Sequence, residues 1–158
     1  MTKKYYLTDD LKLVVEKNKK ENKKVGFANG CFDLLHDGHL KLIKEAKRQC
    51  DFFIIGLNSD RSIREIKGIE RPIENEETRI KNIEKIEIVD AIILFDENTP
   101  EKLINDIMPN VLFKGSDYRN KKIVGSDVVK NNGGKVVLID LLRGFSTTKQ
   151  VKQMMNNG

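Results

Sequence analysis

Tryptophan is absent from the 158-residue chain, and aromatic residues make up only 6% of it. Proteins that hold single-stranded nucleic acid stack bases on aromatic side chains inside a basic groove. The net charge of +5 would allow nucleic acid, but the lysines are scattered among glutamates with no aromatic interleaving, which argues against it; a modest positive excess suits small anionic substrates. Cysteine is nearly absent as well. Cys31 and Cys50 alone make no disulfide framework and lead us to expect a reducing, cytoplasmic setting. With no third ligand in view, a metal site built from cysteine and histidine is not expected. No apolar run approaches the ~20 residues that span a bilayer, and Met1–Tyr6 carries no apolar h-region of a secretory signal, so no membrane partner is expected. No internal repeat or low-complexity segment is present. Histidine is equally scarce, and both copies, His36 and His39, fall in one short stretch.

What is present is ordinary for a globular protein: 39% hydrophobic and 34% charged residues, in a length that suits one domain with a real core. We divide residues 1–158 into an N-terminal helix and linker (1–24) and a core (25–155). Leu11, Val14 and Val15 give residues 8–20 one apolar helical face, with Thr8 as cap. Strands are expected at Val25–Ala28, Phe52–Leu57, Ala91–Phe95, Val111–Phe113 and Lys135–Asp140. Between them lie helices with apolar stripes: Leu40, Ile43, Ala46 and Cys50 on the second, then Ile80, Ile83 and Ile86 behind an Asn75 cap. Thr99-Pro100 opens another helix, and Ile123–Asn131 forms one stopped by Asn132-Gly133-Gly134. Alternating strands and helices predict an α/β fold: a single-domain, doubly wound, Rossmann-like sheet of five parallel strands with helices on both faces.

Four polar loops follow the C-terminal ends of these strands, where ligands bind in open α/β sheets. The first runs Gly26-Phe27-Ala28-Asn29-Gly30-Cys31-Phe32-Asp33-Leu34-Leu35-His36-Asp37-Gly38-His39. Two imidazoles at a helix start, where unpaired N–H groups favour an anion, suggest a triphosphate site. Gly38 between them lets a phosphate approach the backbone closely. The bland alternative is a satisfied surface pair. Lys44, one turn past Leu40, is either a surface lysine or a phosphate contact. The second loop holds Asn58, Ser59 and Asp60, either ligand groups or a helix cap. Arg71, held extended before Pro72, is placed to present a guanidinium to a phosphate, and Arg79 on the next helix is either a plain exposed arginine or a ligand contact. The third loop, Lys114-Gly115-Ser116-Asp117-Tyr118, offers Lys114, Asp117 and Tyr118 to a sugar phosphate or a base, or is a plain turn. The fourth, Arg143-Gly144-Phe145-Ser146-Thr147-Thr148, sets Ser146, Thr147 and Thr148 at a helix start beside Arg143. That is either a simple N-cap or a seat for β- and γ-phosphates.

Asn29-Gly30-Cys31-Phe32-Asp33-Leu34-Leu35-His36-Asp37-Gly38-His39 closely resembles the signature of the cytidylyltransferase-like, His-x-Gly-His nucleotidyltransferases, and the resemblance extends over residues 23–155. Gly144-Phe145-Ser146-Thr147-Thr148 resembles the family's Gly-Ile-Ser-Thr-Thr motif, with Phe145 for isoleucine. Lys114–Tyr118 resembles Lys-Gly-Gly-Asp-Tyr, with Ser116 for the second glycine. Among family members, residues 67–79, 114–118 and 133–148 most resemble the D-glycero-D-manno-heptose 1-phosphate adenylyltransferases.

The resemblance implies that a sugar-phosphate oxygen attacks the α-phosphorus of a nucleoside triphosphate while pyrophosphate leaves, with no enzyme nucleophile. It implies catalytic roles for His36, His39 and Lys44, and nucleotide binding by Asn29, Gly30, Phe32, Asp33, Gly38, Arg143, Ser146, Thr147 and Thr148. Asn58, Asp60, Arg71, Arg79, Lys114, Asp117 and Tyr118 are the implied substrate contacts. The implied partners are ATP and a sugar 1-phosphate, with Mg²⁺ held largely by phosphates and water. The family domain is often fused to a kinase; a stand-alone form, and a homodimer by analogy, are expected here. The alternatives are a glycerol-3-phosphate-type cytidylyltransferase using CTP and a non-catalytic nucleotide-binding module.

Overall fold

A computed structural model describes residues 4–116 and 121–140. In chain order the elements are α1 (Thr8–Lys20), β1 (Val25–Gly30), α2 (Asp37–Arg48), β2 (Phe52–Asn58), α3 (Asp60–Lys67), α4 (Glu76–Glu84), β3 (Ala91–Phe95), α5 (Glu101–Ile107), β4 (Val111–Gly115), α6 (Ser126–Asn131) and β5 (Lys135–Ile139). The strands form one sheet in the order β3-β2-β1-β4-β5, every pairing parallel. The expected doubly wound sheet is what the chain forms.

The alternation of side chains along each strand explains why both faces are covered. Phe27, Ile54, Ile93 and Leu112 point to one side and pack with Leu11 and Val15 of α1, Leu103, Ile104 and Ile107 of α5 and Val129 of α6. Ala28, Phe53, Ile55, Ile92 and Phe113 point to the other and pack with Ile43 and Ala46 of α2 and Ile83 of α4. No helix among the described residues is long and apolar enough to cross a membrane.

Several boundaries differ from the sequence reading for local reasons. Thr8 does not cap α1; Leu7 holds the N-cap position, with no side-chain hydrogen bond. Pro100 is itself the N-cap of α5 rather than its first helical residue, and the Thr99 hydroxyl accepts from Glu101 N at 3.4 Å. α6 starts at Ser126, not Ile123, because Gly125 adopts φ +86°, a conformation that glycine enters at little cost and that breaks the helix before it. Leu40 is 45% exposed and does not join the core stripe of α2. The N-terminal segment adds an unexpected contact: Tyr6 N donates to Ile92 O and Ile92 N to Lys4 O, both at 2.9 Å. These two bonds cover part of the edge of β3, which would otherwise be an open template for pairing.

Candidate active site

The sheet reverses its winding between β1 and β4, and there its ladder is shortest. β1 is registered with β2 over six pairs, from Val25↔Phe52 to Gly30↔Leu57, and β4 with β5 over five. β1 and β4 share only Gly26↔Val111 and Phe27↔Leu112. Beyond Phe27 the two strands part, opening a crevice at the topological switch point. Asn29 and Lys114 stand at its mouth, with Lys114 Nζ donating to Asn29 Oδ1 at 2.7 Å.

The chain leaves β1 through a turn in which Phe32 (φ 49°) and Leu34 (φ 56°) are both left-handed. Non-glycine residues hold that conformation only when the surroundings over-determine it. What fixes the turn is Asp33, which is fully buried. Its carboxylate accepts from Ile73 N at 2.7 Å, Glu74 N at 2.9 Å and Arg71 Nε at 3.3 Å. Glu74 returns the contact, its Oε1 accepting from Leu34 N at 2.9 Å. The signature turn and residues 68–75 are thereby fastened to each other.

The turn delivers His36 to the N-cap of α2. His36 Nδ1 accepts from Gly38 N at 3.1 Å, and His39 Nδ1 accepts from His36 N at 3.3 Å, a capping box built from two imidazoles. The rings stack with centroids 3.8 Å apart and planes 21° from parallel, and Phe32 lies against His39 at 5.2 Å. A ring nitrogen that accepts from an amide carries no proton, so both side chains are neutral with the proton on Nε2. Electrostatics agree. Burial, with the His36 and Lys67 charges adding to it, pushes the His39 pKa down to about 4 against the opposing pull of Asp33. Burial also lowers that of His36, opposed by Asp37. The result is a pair of uncharged Nε2–H donors at a helix N-terminus, where the backbone already favours an anion.

The remaining candidates divide between the crevice and its frame. Gly30 and Gly38 flank the histidine turn on β1 and α2, Gly38 buried beneath the capping box. Lys44 is exposed and lies five residues past His39, about 140° around the helix. Arg79 is the largest correction: it is fully buried, not exposed. Its Nη1 donates to Cys31 O at 2.9 Å and Asn58 O at 2.8 Å, its Nε to Glu74 O at 3.0 Å, and its Nη2 to Asp60 Oδ1 at 2.8 Å. It has no surface to offer a ligand and instead joins the signature turn to the end of β2, the start of α3 and the 68–75 segment. Asn58 is also buried, with Nδ2 on Ser62 Oγ at 3.1 Å, and Ser59 is the N-cap of α3. Arg71 is 8% exposed and paired to Asp33. Burial raises the Cys31 pKa, so this thiol stays protonated and is no nucleophile. Asp117, Tyr118, Arg143, Ser146, Thr147 and Thr148 lie outside the described residues.

Two features escaped the sequence. Lys67, at the end of α3, acts electrostatically on both His39 and Cys31; its only signal was its place before Gly68. A polar cavity of about 410 Å³ opens at the C-terminal ends of β2 and β3, bordered by Asp60, Arg61, Arg64, Glu76 and Asp96. Among the described residues, no group of three or more histidine, cysteine, aspartate or glutamate side chains is placed to hold a metal ion.

Comparison with known proteins gives a consistent picture. The sequence profile of the cytidylyltransferase-like family matches residues 27–152. The bifunctional protein HldE of Nitrobacter hamburgensis is 47% identical over 146 residues, which are 92% of this chain and 30% of that protein. HldE of Rhodopseudomonas palustris (strain BisA53) is 48% identical over 136 residues, 86% of this chain and 28% of its own. The chain thus spans less than a third of the length of these curated relatives. Among solved structures, a lipopolysaccharide core biosynthesis protein from Thermoplasma volcanium is 26% identical with a TM-score of 0.61, covering 76% of this chain and 97% of that one. Pantoate-beta-alanine ligase from Francisella tularensis, 16% identical with a TM-score of 0.69 over 96% of this chain and 73% of its own, shares the fold. Because the matched segment runs from β1 through the histidine capping box and across the whole sheet, the chain belongs to the cytidylyltransferase-like family.

Proposed function

We propose that the protein is a nucleotidyltransferase that joins ATP to D-glycero-D-manno-heptose 1-phosphate, giving ADP-heptose and pyrophosphate for lipopolysaccharide or surface polysaccharide. The observation that carries the reaction type is the stacked, neutral His36–His39 pair at the head of α2, beside the switch-point crevice. The choice of sugar and nucleotide rests on the likeness to the HldE proteins and on residues 67–79 and 114–118.

In this reaction a phosphate oxygen of the sugar 1-phosphate attacks the α-phosphorus, the bond between the α-phosphorus and the α,β-bridging oxygen breaks, and pyrophosphate departs with that oxygen. No covalent enzyme intermediate is needed, so catalysis is positioning plus stabilisation of charge on the phosphoryl oxygens. The two Nε2–H groups donate to those oxygens without being consumed by the backbone, whose amides are already satisfied at Nδ1. Being neutral, they shed less hydration than an ammonium and strengthen as charge develops. Asn29, Gly30, Phe32, Asp33 and Gly38 shape the nucleotide's seat, and Lys44, Arg143 and Ser146–Thr148 are assigned to the triphosphate and the departing pyrophosphate. Asp117, Tyr118 and Lys114 are assigned to the sugar. The donor set near the histidines is nitrogen-rich and suits phosphate oxygens better than a hard cation. Mg²⁺ is therefore assigned to the phosphates and water, where it supplies charge neutralisation. The same reading puts the protein in the cytoplasm with its ATP, as a homodimer by family analogy.

The test is a substrate matrix on the purified protein with Mg²⁺: ATP, CTP and GTP crossed with heptose 1-phosphate and glycerol 3-phosphate, with the product identified by mass. ADP-heptose is the expected product. CDP-glycerol would keep the mechanism and overturn the substrates, and binding of ATP without turnover of any pair would leave a binding module.

A further inference from the structure

Glu74 spends all its polar groups around the signature turn. Its amide donates to Asp33 Oδ1 at 2.9 Å, and its carbonyl accepts from Arg79 Nε at 3.0 Å. Its carboxylate bridges two elements: Oε1 accepts from Leu34 N at 2.9 Å, and Oε2 from Asn82 Nδ2 of α4 at 3.2 Å. One oxygen is thus anchored on a helix while the other reaches the turn. The backbone it reaches is costly to hold. Leu34 has φ 56°, and a residue with a branched side chain keeps that left-handed conformation only while its surroundings insist. A carboxylate oxygen on the Leu34 amide is a charge-assisted bond, among the stronger ones available. Two residues on, His36 opens the capping box of α2. The direction in which the chain leaves Leu34 therefore sets where the imidazoles stand.

We propose that Glu74 is the positioning residue of the histidine pair: clamped by Asn82, its carboxylate holds the Leu34 amide and with it the left-handed turn that aims His36 and His39 at the phosphates. This rests on the nucleotidyltransferase reading above. Asp33 and Glu74 divide the work. Asp33 is fully buried and reaches from the turn to Arg71 and to the amides of Ile73 and Glu74. Glu74 is half-buried and its side chain reaches the other way. Truncating that side chain opens no core cavity and leaves the Asp33 bonds in place, since the one to Glu74 uses its backbone. What goes is the restraint on a single amide just ahead of the histidines. Rate is far more sensitive to such a loss than stability is, because a misplacement of about 1 Å in the reacting geometry costs on the order of 10²-fold.

The test reads aim and turnover separately, on the whole protein. Nitrogen-15 spectra of the imidazoles at pH 7.5 report which ring nitrogen carries the proton, and pyrophosphate release from ATP plus heptose 1-phosphate gives kcat and KM. Glu74→Ala is expected to move the His36 and His39 signals away from a pure Nε2–H tautomer and to lower kcat by about 10–10²-fold. KM for ATP should stay within about threefold, and the melting temperature within about 4 °C. Glu74→Gln keeps an oxygen for Leu34 N and meets Asn82 once that amide turns over, so it should recover most of both losses. A purely structural role would lower the melting temperature of Glu74→Ala while the folded protein kept wild-type histidine signals and kcat. That result, or Glu74→Gln no better than Glu74→Ala, overturns the proposal. If Glu74→Ala does not fold, Asn82→Ala, which frees the second oxygen of the carboxylate, takes its place: shifted histidine signals support the clamp and unchanged ones overturn it. Wild-type protein with no turnover would overturn the nucleotidyltransferase reading, and the spectra would still decide the part of Glu74.

Discussion

Each imidazole of the His36–His39 pair gives its Nδ1 atom to a backbone amide, so the protonation state of the site is written into the capping box itself. Protonating His39 would abolish its acceptor at Nδ1 and leave His36 N unpaired, which is why burial and tautomer act in the same direction. The linkage has a definite sign. His39 titrates at about 4 in the folded protein against 6.5 for its ordinary value, so between those limits the unfolded chain binds the extra proton. Stability therefore falls as pH drops from about 6.5 toward 4. Urea melts at pH 7.5 and pH 5 should show the midpoint lower at pH 5, and His39→Gln should flatten that difference. Both histidines stood out as candidates because nothing else in the chain offers imidazole. Their tautomer was not, because a capping box made of two histidine rings depends on ψ at residue 36 and on ring stacking, neither of which has a sequence signal.

Connections between elements explain what was misjudged. Asn75 and Ser59 both cap helices, as polar residues ahead of periodic segments should. Arg79 looked exposed because α4 is short and charged, yet its side chain runs inward to carbonyls donated by three other segments. A burial so dependent on remote chain cannot be read from periodicity. Replacing it by methionine would leave the Cys31, Asn58 and Glu74 carbonyls without their donor and Asp60 without its partner. We expect Arg79→Met to lower unfolding free energy by about 3–5 kcal/mol, as broken buried pairs do, measured by chemical denaturation. Arg79→Lys, which restores charge but not the fork, should recover little. Asp33→Asn makes a subtler change at the neighbouring joint: the shape is kept, while the charge that holds Arg71 and the two amides is lost. Hydrogen exchange at Ile73 and Glu74 should accelerate by at least about tenfold, a loosening of the joint worth about 1.4 kcal/mol, while exchange within β1 and β2 stays slow.

For the molecule as a whole, the alternating strand and helix pattern was enough to anticipate the parallel sheet. It could not give the strand order, in which β1 and β4 become neighbours. That order makes the crevice: it sets Asn29 against Lys114 and stops their shared ladder after two pairs. Since Lys114 spans the opening, Lys114→Met should raise the KM for a ligand seated there while leaving the melting temperature within about 2 °C, as surface changes usually do. Conversely, Phe27→Ala, which empties the centre of the face covered by α1 and α5, should cost about 3–5 kcal/mol of stability and lower the amount of folded protein without changing which substrates it accepts. The central claim is that the neutral histidine pair accelerates nucleotidyl transfer, and pyrophosphate release from ATP plus heptose 1-phosphate by wild-type protein and His39→Ala tests it most directly. The account predicts wild-type turnover and a loss of about 10²–10³ in kcat for a variant that still folds and binds ATP, the worth of one transition-state donor. Turnover by folded His39→Ala equal to that of the wild type would contradict it.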